Sequence, residues 1–435
     1  SHQALTNLIA SAVEKMAIGT GKCWLWLSSV SFDISLFEWL GALYTGGTIK
    51  VLPEKIAADP FNLVQSLDEE IDFLQTTPSR MKLMLELGWR AHAQQTVLLA
   101  GEALSIELQS TLAPQCKALW NGYGPTEACI YTLFNDTKGQ HTSLSKVALG
   151  SGLAHYRHYI CDNEQNILPS GAIGELCVAG LGLATGYWGL PEITKQKFVH
   201  KEGIERLYRT SDLVRFGDDG LVHYLGRIDN QVKVNGYRVE LAEIEHCIKS
   251  LLNLAQVVVL KTKGEKLVAY LISEDLSLSS ATLTTLRKNL HDVLPYYMVP
   301  NSFAVLKALT TNGKLDTVML LNTDVDRNSI LQQAPRTSIE KALTLLWQEF
   351  LELDVLYIDD DFFTLGGHSV IATRLITRVN SLFQSELNLR GFFQEPTLRE
   401  MAVYLSALDN SELISETLLD VFQLSDQEVH AELQK

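Results

Sequence analysis

The chain has 435 residues, too many for one compact core, and that length predicts roughly two to four domains. It is 46% hydrophobic, 20% charged and 8% aromatic, which excludes a mainly disordered or collagen-like polymer. A net charge of −15, from 36 Lys+Arg against 51 Asp+Glu, argues against a nucleic-acid-binding surface.

Over the first 225 residues helical patterns alternate with short apolar runs. Asp72-Phe73-Leu74-Gln75 and Thr96-Val97-Leu98-Leu99-Ala100 read as buried strands, each followed by a glycine or proline turn and a helix, the texture of an α/β domain. From Gly150 to Leu225 short strands separated by turns take over, as in Gly174-Glu175-Leu176-Cys177-Val178, Arg206-Leu207-Tyr208-Arg209 and Leu221-Val222-His223-Tyr224, so a β-rich portion is expected. A smaller α+β unit is predicted over 228–322, with helices from Glu240 to Leu252 and from Ala281 to Val293, and two strands between them. Pro295 closes the second helix.

A polar linker over 323–337 precedes an all-helical unit at 338–408. There Ile339, Ala342, Leu343, Leu346, Trp347 and Phe350 form the apolar stripe that a bundle helix requires, and Val370 to Leu382 forms a second. Residues 409–435 are an acidic amphipathic tail, with Leu413, Leu418, Leu419, Val421 and Phe422 either docking on a surface or hanging as a loosely attached helix. About two thirds of the acidic excess lies from Leu331 onward, so a partner of this end is expected to be basic.

No run approaches the roughly 18 apolar residues of a membrane span, and Ser1-His2-Gln3 lacks the pattern of a secretory signal. The cysteines Cys23, Cys116, Cys129, Cys161, Cys177 and Cys247 stand singly, without zinc-like spacing, and are expected to be free thiols in a reducing cytoplasm.

Two sets of motifs carry chemistry. In Asp361-Phe362-Phe363-Thr364-Leu365-Gly366-Gly367-His368-Ser369 the glycines allow a sharp turn that leaves Ser369 at the mouth of a helix, where serine is also an ordinary N-cap. In Asn121-Gly122-Tyr123-Gly124-Pro125-Thr126-Glu127 a glycine-flanked turn precedes a hydroxyl suited to a phosphate oxygen and a carboxylate suited to Mg²⁺. Downstream come Gly174-Glu175-Leu176, Tyr208-Arg209-Thr210-Ser211-Asp212-Leu213, the run from Gly226 to Glu240, and Asn312-Gly313-Lys314-Leu315-Asp316. Singly, each reads as a turn, a cap or a solvated charge.

In this order the second set resembles an adenylation domain of the non-ribosomal peptide synthetases, within the adenylate-forming superfamily, and the Ser369 motif resembles a peptidyl carrier domain. Together the resemblances span the chain to about residue 408. They imply a partial α/β adenylate-forming large domain with a β-rich portion over 1–227, a small α+β lid over 228–322 and a C-terminal four-helix carrier bundle. The implied reaction joins an amino acid to AMP using ATP and Mg²⁺, then transfers it as a thioester to 4′-phosphopantetheine on Ser369.

Carried over residue by residue, the resemblance makes Asp212 the ribose acid, Tyr224 the adenine-stacking aromatic and Gly101-Glu102-Ala103 the turn lining the base. It also places Tyr123, Gly124, Arg227 and Lys233 around ATP and assigns Thr126 and Glu127 to the phosphate and metal. Asp229 falls at a hinge. Lys314 is the cation that contacts the substrate carboxylate and the α-phosphate, where the transition state concentrates charge. Asp33 matches the acid that pairs with the substrate ammonium, and Ile34, Phe37, Gln75, Leu98, Ala100, Gly122, Ile130 and Tyr131 match the pocket around its side chain. None of those eight is charged and two are bulky, so a small neutral amino acid, glycine or alanine, is expected.

Implied partners are a phosphopantetheinyl transferase and neighbouring synthetase modules, with a small helper protein as a further candidate; neither nucleic acid nor membrane is expected. Ser1-His2-Gln3-Ala4-Leu5 resembles the stretch just after the family's phosphate-gripping loop, so the chain is expected to begin inside the large domain. It then represents either a piece of a longer polypeptide or a product that needs the preceding half supplied separately. Ser211 stands where glycine is usual. A competing reading makes the adenylation part an inert scaffold and the carrier, loaded in trans, the functional part. An acyl-CoA ligase is disfavoured by Asp33 and by the appended carrier.

Overall fold

The run Thr96–Ala100 is buried along almost its whole length, which a strand tolerates when helices cover both faces of its sheet. It is the fourth of seven strands: β1 (Cys23–Trp26), β2 (Thr48–Val51), β3 (Phe73–Thr76), β4 (Thr96–Ala100), β5 (Ala118–Tyr123), β6 (Leu133–Asp136) and β7 (Ser151–Gly152). Their order is β2-β1-β3-β4-β5-β6-β7; pairing is parallel from β2 to β5 and antiparallel beyond. Side chains alternate between two cores: Trp24, Phe73, Leu98 and Ala100 enter one, while Leu25, Leu74, Val97 and Leu99 enter the other. Leu8 and Ala12 of the helix His2–Lys15 and Phe37 of the helix Ser35–Tyr44 close the first core. Met81 and Met84 of the helix Pro78–Glu86 close the second.

The β-rich portion is an antiparallel sheet of β8 (Tyr156–Cys161), β9 (Ile173–Gly180), β10 (Phe198–Lys201), β11 (Ile204–Phe216) and β12 (Val222–Arg227), with β11 pairing to β9, β10 and β12. This computed structural model describes all residues except 59, 68–69, 139–145, 202–203, 230, 235–236, 263–266, 274–279, 301, 307–332, 352, 354, 363–364, 366, 368, 388–390, 393–395 and 424–435. The chain divides into two units, Ser1–Arg238 and Val239–Lys435.

In the second unit the helix Leu241–Leu252 buries Leu241, Ile244 and Ile248 at helical spacing and ends at Asn253, whose φ of 52° is the left-handed cap conformation that asparagine tolerates. A three-stranded sheet, Gln256–Lys261, Leu267–Ile272 and Ser302–Leu306, and the helix Ser280–Val293 complete the α+β part. The helical part has Ser338–Leu351, Ser369–Phe383, Leu398–Ser406 and Ser411–Gln423 among its described residues. Its core centres on Trp347, fully buried and edge-on to Phe362 at 5.0 Å and to Phe392 at 6.1 Å. Truncating such a residue to alanine costs about 3–5 kcal/mol.

The acidic tail is therefore partly structured. Ser411–Gln423 packs Ile414 and Leu418 against the bundle core and buries Ser415, while Leu413 and Phe422 stay exposed. The linker segment 323–332 and the tail beyond 423 lie outside the described residues. All six cysteines are free, but they are not all isolated: Cys161 and Cys177 hydrogen-bond on adjacent strands, and that contact together with burial pushes the Cys177 thiol far above its usual range. Among the described residues no helix is long and apolar enough to cross a membrane.

Candidate active site

Parallel sheets bind ligands beyond the carboxyl ends of their strands, because there the loops diverge and main-chain groups are left unpaired. Most residues singled out in the first half of the chain fall on that edge. Asp33, Ile34 and Phe37 follow β1; Gln75 lies in β3; Leu98 and Ala100 lie in β4 and Gly101-Glu102-Ala103 follow it; Gly122 and Tyr123 end β5, and Gly124, Thr126 and Glu127 follow. The register sets Gln75 beside Leu98 and Ala100 beside Gly122.

Two of these positions require glycine. A Cβ on Gly122 would lie 2.8 Å from the Phe134 ring, and one on Gly124 would lie 2.3 Å from the Ile130 carbonyl oxygen. Opposite them Cys129 and Ile130 adopt φ of 62° and 71° in succession, and for a β-branched residue that is strained backbone. This turn carries Ile130 and Tyr131 into the core, where Tyr131 meets Phe37 edge-on at 5.9 Å. The Tyr131 hydroxyl donates to Gln75 Oε1 at 3.0 Å. Burial, then the charges of Asp33 and Glu38, push the Tyr131 phenol well above its usual range.

Thr126 Oγ1 donates to Asp33 Oδ2 at 2.6 Å, so the candidate ammonium acid and phosphate hydroxyl touch. Burial raises the Asp33 carboxyl above its ordinary range, against the opposing pull of the Thr126 hydrogen bond. The Glu127 carboxylate accepts from the Tyr187 hydroxyl at 2.6 Å. Glu102 turns its carboxylate to the Ser79 N–H and hydroxyl, tying its loop to the start of the helix Pro78–Glu86. Gly101, at φ 87°, turns the backbone there.

The second constellation comes from β11 and β12. Thr210 Oγ1 donates to the Leu176 carbonyl and accepts from the Asp212 N–H, while Ser211 sits at φ 61° where the β9–β11 register breaks. That left-handed turn accounts for a glycine preference at this position. Ser211 is accommodated because its N–H donates to Glu175 Oε1 at 2.9 Å and its hydroxyl accepts from Lys197 Nζ at 2.6 Å. Arg209 in turn holds Glu175 Oε2 through Nε and a terminal nitrogen, at 2.9 and 2.7 Å.

Thus aimed, Asp212 accepts from the Tyr123 hydroxyl on one oxygen and from Arg227 on the other at 2.8 Å. Arg227 also forks onto both oxygens of Asp229, at 2.7 and 2.8 Å. Burial presses the Asp229 carboxyl upward, but the Arg227 hydrogen bonds outweigh it and hold the group below its usual range. Lys233 Nζ lies 6.0 Å from the Tyr123 ring centroid, and Lys146 Nζ lies 5.2 Å from that of Tyr224, whose phenol burial pushes up to about 12.

These groups suit ATP and a divalent cation by their chemistry. Each Asp212 oxygen has one donor and a further lone pair for a ribose hydroxyl, and Glu127 offers the hard oxygen that Mg²⁺ prefers. Lys314 lies outside the described residues. In the second unit Ser369 is the first residue of the helix Ser369–Phe383, where a phosphodiester gains from the helix dipole. Before it, the Gly367 N–H donates to the Phe362 carbonyl at 2.9 Å, and a Cβ on Gly367 would meet the Phe362 ring at 2.3 Å. Asp361 of the same motif pairs with Arg287.

Glu38, Tyr187 and Lys197 were not singled out by sequence, and Glu175 and Arg209 entered only as parts of longer motifs. A cavity of about 360 Å³ in the second unit, lined by Leu251, Leu252, Thr282, Thr285, Leu286 and Asn289, contains none of the candidate residues.

Residues 1–188 match the family model of AMP-binding enzymes, and residues 341–405 match that of the phosphopantetheine attachment site. The pair defines an AMP-binding domain, of the kind found in amino-acid-adenylating ligases, with a carrier appended; ATP and 4′-phosphopantetheine are the cofactors of these two families.

The chain is 33% identical over 433 residues to gramicidin S synthase 2 of Aneurinibacillus migulanus, covering 96% of this chain and 10% of that protein. It is 32% identical over 387 residues to tyrocidine synthase 1 of Brevibacillus parabrevis, covering 87% of this chain and 35% of that protein. A solved holo adenylation–carrier protein bound to a vinylsulfonamide inhibitor is similar at 25% identity with a TM-score of 0.68, over 91% of this chain and 68% of that one. A four-domain synthetase solved with AMP and glycine is similar at 34% identity with a TM-score of 0.51, over 94% of this chain and 31% of that one. The chain carries an AMP-binding domain followed by a phosphopantetheine attachment site and is similar to nonribosomal peptide synthetases, and it spans only a small part of its curated relatives.

Proposed function

We propose that the chain activates a small neutral amino acid as its adenylate and passes it to its own carrier. The observation that carries this reading is the meeting of Tyr123, Asp212, Arg227 and Asp229 beyond the carboxyl end of β5, in the same unit as the Asp33–Thr126 pair. One cluster suits a ribose, the other an ammonium and a phosphate.

In this reading Asp212 accepts both ribose hydroxyls, Tyr224 stacks on adenine, and the turn Gly101-Glu102-Ala103 lines the base. Asp33 holds the substrate ammonium, which places its carboxylate against the α-phosphate. The carboxylate oxygen attacks that phosphorus, the bond to pyrophosphate breaks, and the aminoacyl-adenylate remains. Thr126 orients a phosphate oxygen, and Glu127 would hold Mg²⁺, whose charge would offset that of the phosphates. Lys314, on the lid, contributes a positive charge to the reacting oxygens, and movement about Asp229 then withdraws it. A 4′-phosphopantetheine attached to Ser369 by a phosphopantetheinyl transferase would supply the thiol for the aminoacyl group, with AMP as the leaving group. Buried Phe37, Gln75 and Tyr131 shorten the pocket, which favours glycine or alanine, and a relative of 34% identity was solved with AMP and glycine.

The test is amino-acid-dependent exchange of pyrophosphate into ATP by the full chain, with the mass of Ser369 measured after treatment with the transferase and coenzyme A. Exchange with glycine or alanine together with a mass gain on Ser369 supports the reading. No exchange with any amino acid, with the mass gain retained, leaves a carrier loaded in trans.

A further inference from the structure

Glu38 lies on the first turn of the helix Ser35–Tyr44, behind the pocket residues Ile34 and Phe37, and is completely buried. A buried carboxylate is usually paired with a cation, because removing its charge from water costs several kcal/mol. Glu38 is held instead by four neutral donors. Oε2 accepts from the Leu27 and Ser28 N–H groups, both at 2.9 Å. Oε1 accepts from the Ser28 hydroxyl at 2.6 Å and from Gln75 Nε2 at 3.0 Å.

Gln75 is also completely buried. Its second N–H donates to the Ile34 carbonyl at 2.9 Å, and its Oε1 accepts from the Tyr131 hydroxyl at 3.0 Å. Its amide therefore has a single satisfied orientation, and both the helix and the opposite wall of the pocket depend on it.

We infer that Glu38 is a positioning residue for amino-acid selection: as a carboxylate it locks the Gln75 amide, and through it Tyr131, so that the pocket floor neither offers a polar group to the substrate nor deepens for a longer side chain. This rests on the adenylation reading and on Gln75 and Tyr131 lining the pocket. The requirement for a carboxylate follows from donor counting. Glutamine at position 38 has the same size but presents an NH2 on one side. Facing Leu27 and Ser28, that NH2 opposes two backbone N–H groups. Facing Gln75, it opposes another NH2. If Gln75 turns its amide over to resolve that clash, its oxygen meets the Ile34 carbonyl.

The experiment compares exchange kinetics at pH 8 with glycine, alanine, serine, valine and leucine for the full chain, Glu38→Gln, Gln75→Leu and the double variant. The expected result is that Glu38→Gln lowers the preference for the best small substrate over serine or valine by about tenfold, mainly through KM, the range that one methylene or hydroxyl commands in such pockets. Gln75→Leu changes the same preference. The double variant matches Gln75→Leu within about twofold, because Glu38 has then lost the group through which it acts.

Equal loss of kcat on every substrate in Glu38→Gln, or full additivity in the double variant, overturns the inference by reducing Glu38 to a fold residue. An unchanged preference in Gln75→Leu overturns it as well, and that variant decides the matter should Glu38→Gln fail to fold. Failure of the unaltered chain to exchange with any amino acid removes the adenylation reading itself. Exchange by the unaltered chain with unchanged selectivity in the variants removes only this inference.

Discussion

Asp212 and Glu38 are both buried carboxylates of the first unit, yet one is held by a guanidinium and a phenol and the other by neutral donors alone. On the Asp212 side charge is balanced by charge, and Arg227 is shared with Asp229, so the cluster joins β11 to the segment after β12. On the Glu38 side burial wins over four hydrogen bonds and lifts the carboxyl to about 7. The contrast shows two ways to use an acid away from water. Held by a guanidinium and a phenol, Asp212 joins two elements beside a candidate ligand site, and held by amides and a hydroxyl, Glu38 serves to orient its neighbours.

The largest effect is expected from Arg227→Ala, which leaves Asp212 and Asp229 together without their cation. Loss of one member of such a buried pair costs about 3–5 kcal/mol, seen as a lower unfolding midpoint, and ATP affinity should fall with it. A variant that keeps both properties would mean that the two sides do not differ as described.

Next is the pH response of Glu38. Its folded-state pKa of about 7 lies above the ordinary 4.5, so its stabilising contribution is fully present below pH 4.5 and lost as pH rises through 7. Glu38→Gln removes that slope, and the gap in unfolding free energy between variant and parent should shift in favour of the variant by up to about 3 kcal/mol from pH 4.5 to 8. A constant gap would show that burial does not raise the Glu38 carboxyl.

Gly124 sits where the two sides meet, one residue after Tyr123 and against the Ile130–Tyr131 turn. Gly124→Ala should destabilise by about 1–3 kcal/mol in thermal or denaturant unfolding, because backbone atoms must give way. The smallest effect belongs to Ser211→Gly, which relieves a positive φ but discards the hydroxyl that Lys197 holds. A gain of under about 1 kcal/mol is expected.

Much of this organisation can be read along the chain because its signals are local. The strands at 73–76 and 96–100 follow from apolar runs bounded by turns, and the bundle helix at 338–351 from its 3–4 spacing. The glycine-rich turn at 121–127 marks a close approach, since any Cβ at Gly124 would clash with the Ile130 carbonyl.

What stayed hidden involves partners far apart in sequence. Tyr187 reaches Glu127 across 60 residues, Gln75 reaches Glu38 across 37, and Glu175 supports Ser211 across 36. Glu38 lies inside an amphipathic helix, where a glutamate ordinarily faces solvent, and only the packing of β1 and β3 around it turns that expectation over. Ser211 was recognisable as unusual, but the reason, a left-handed residue at a register break, is a property of the folded backbone.

The helix Ser411–Gln423 has a practical corollary for anyone isolating the carrier. Cutting after Leu408 would strip Ile414 and Leu418 from the bundle and uncover the apolar surface they shield. An excised carrier that extends through Gln423 keeps that surface covered, and the exposed Leu413 and Phe422 are the positions to replace with polar residues if it self-associates.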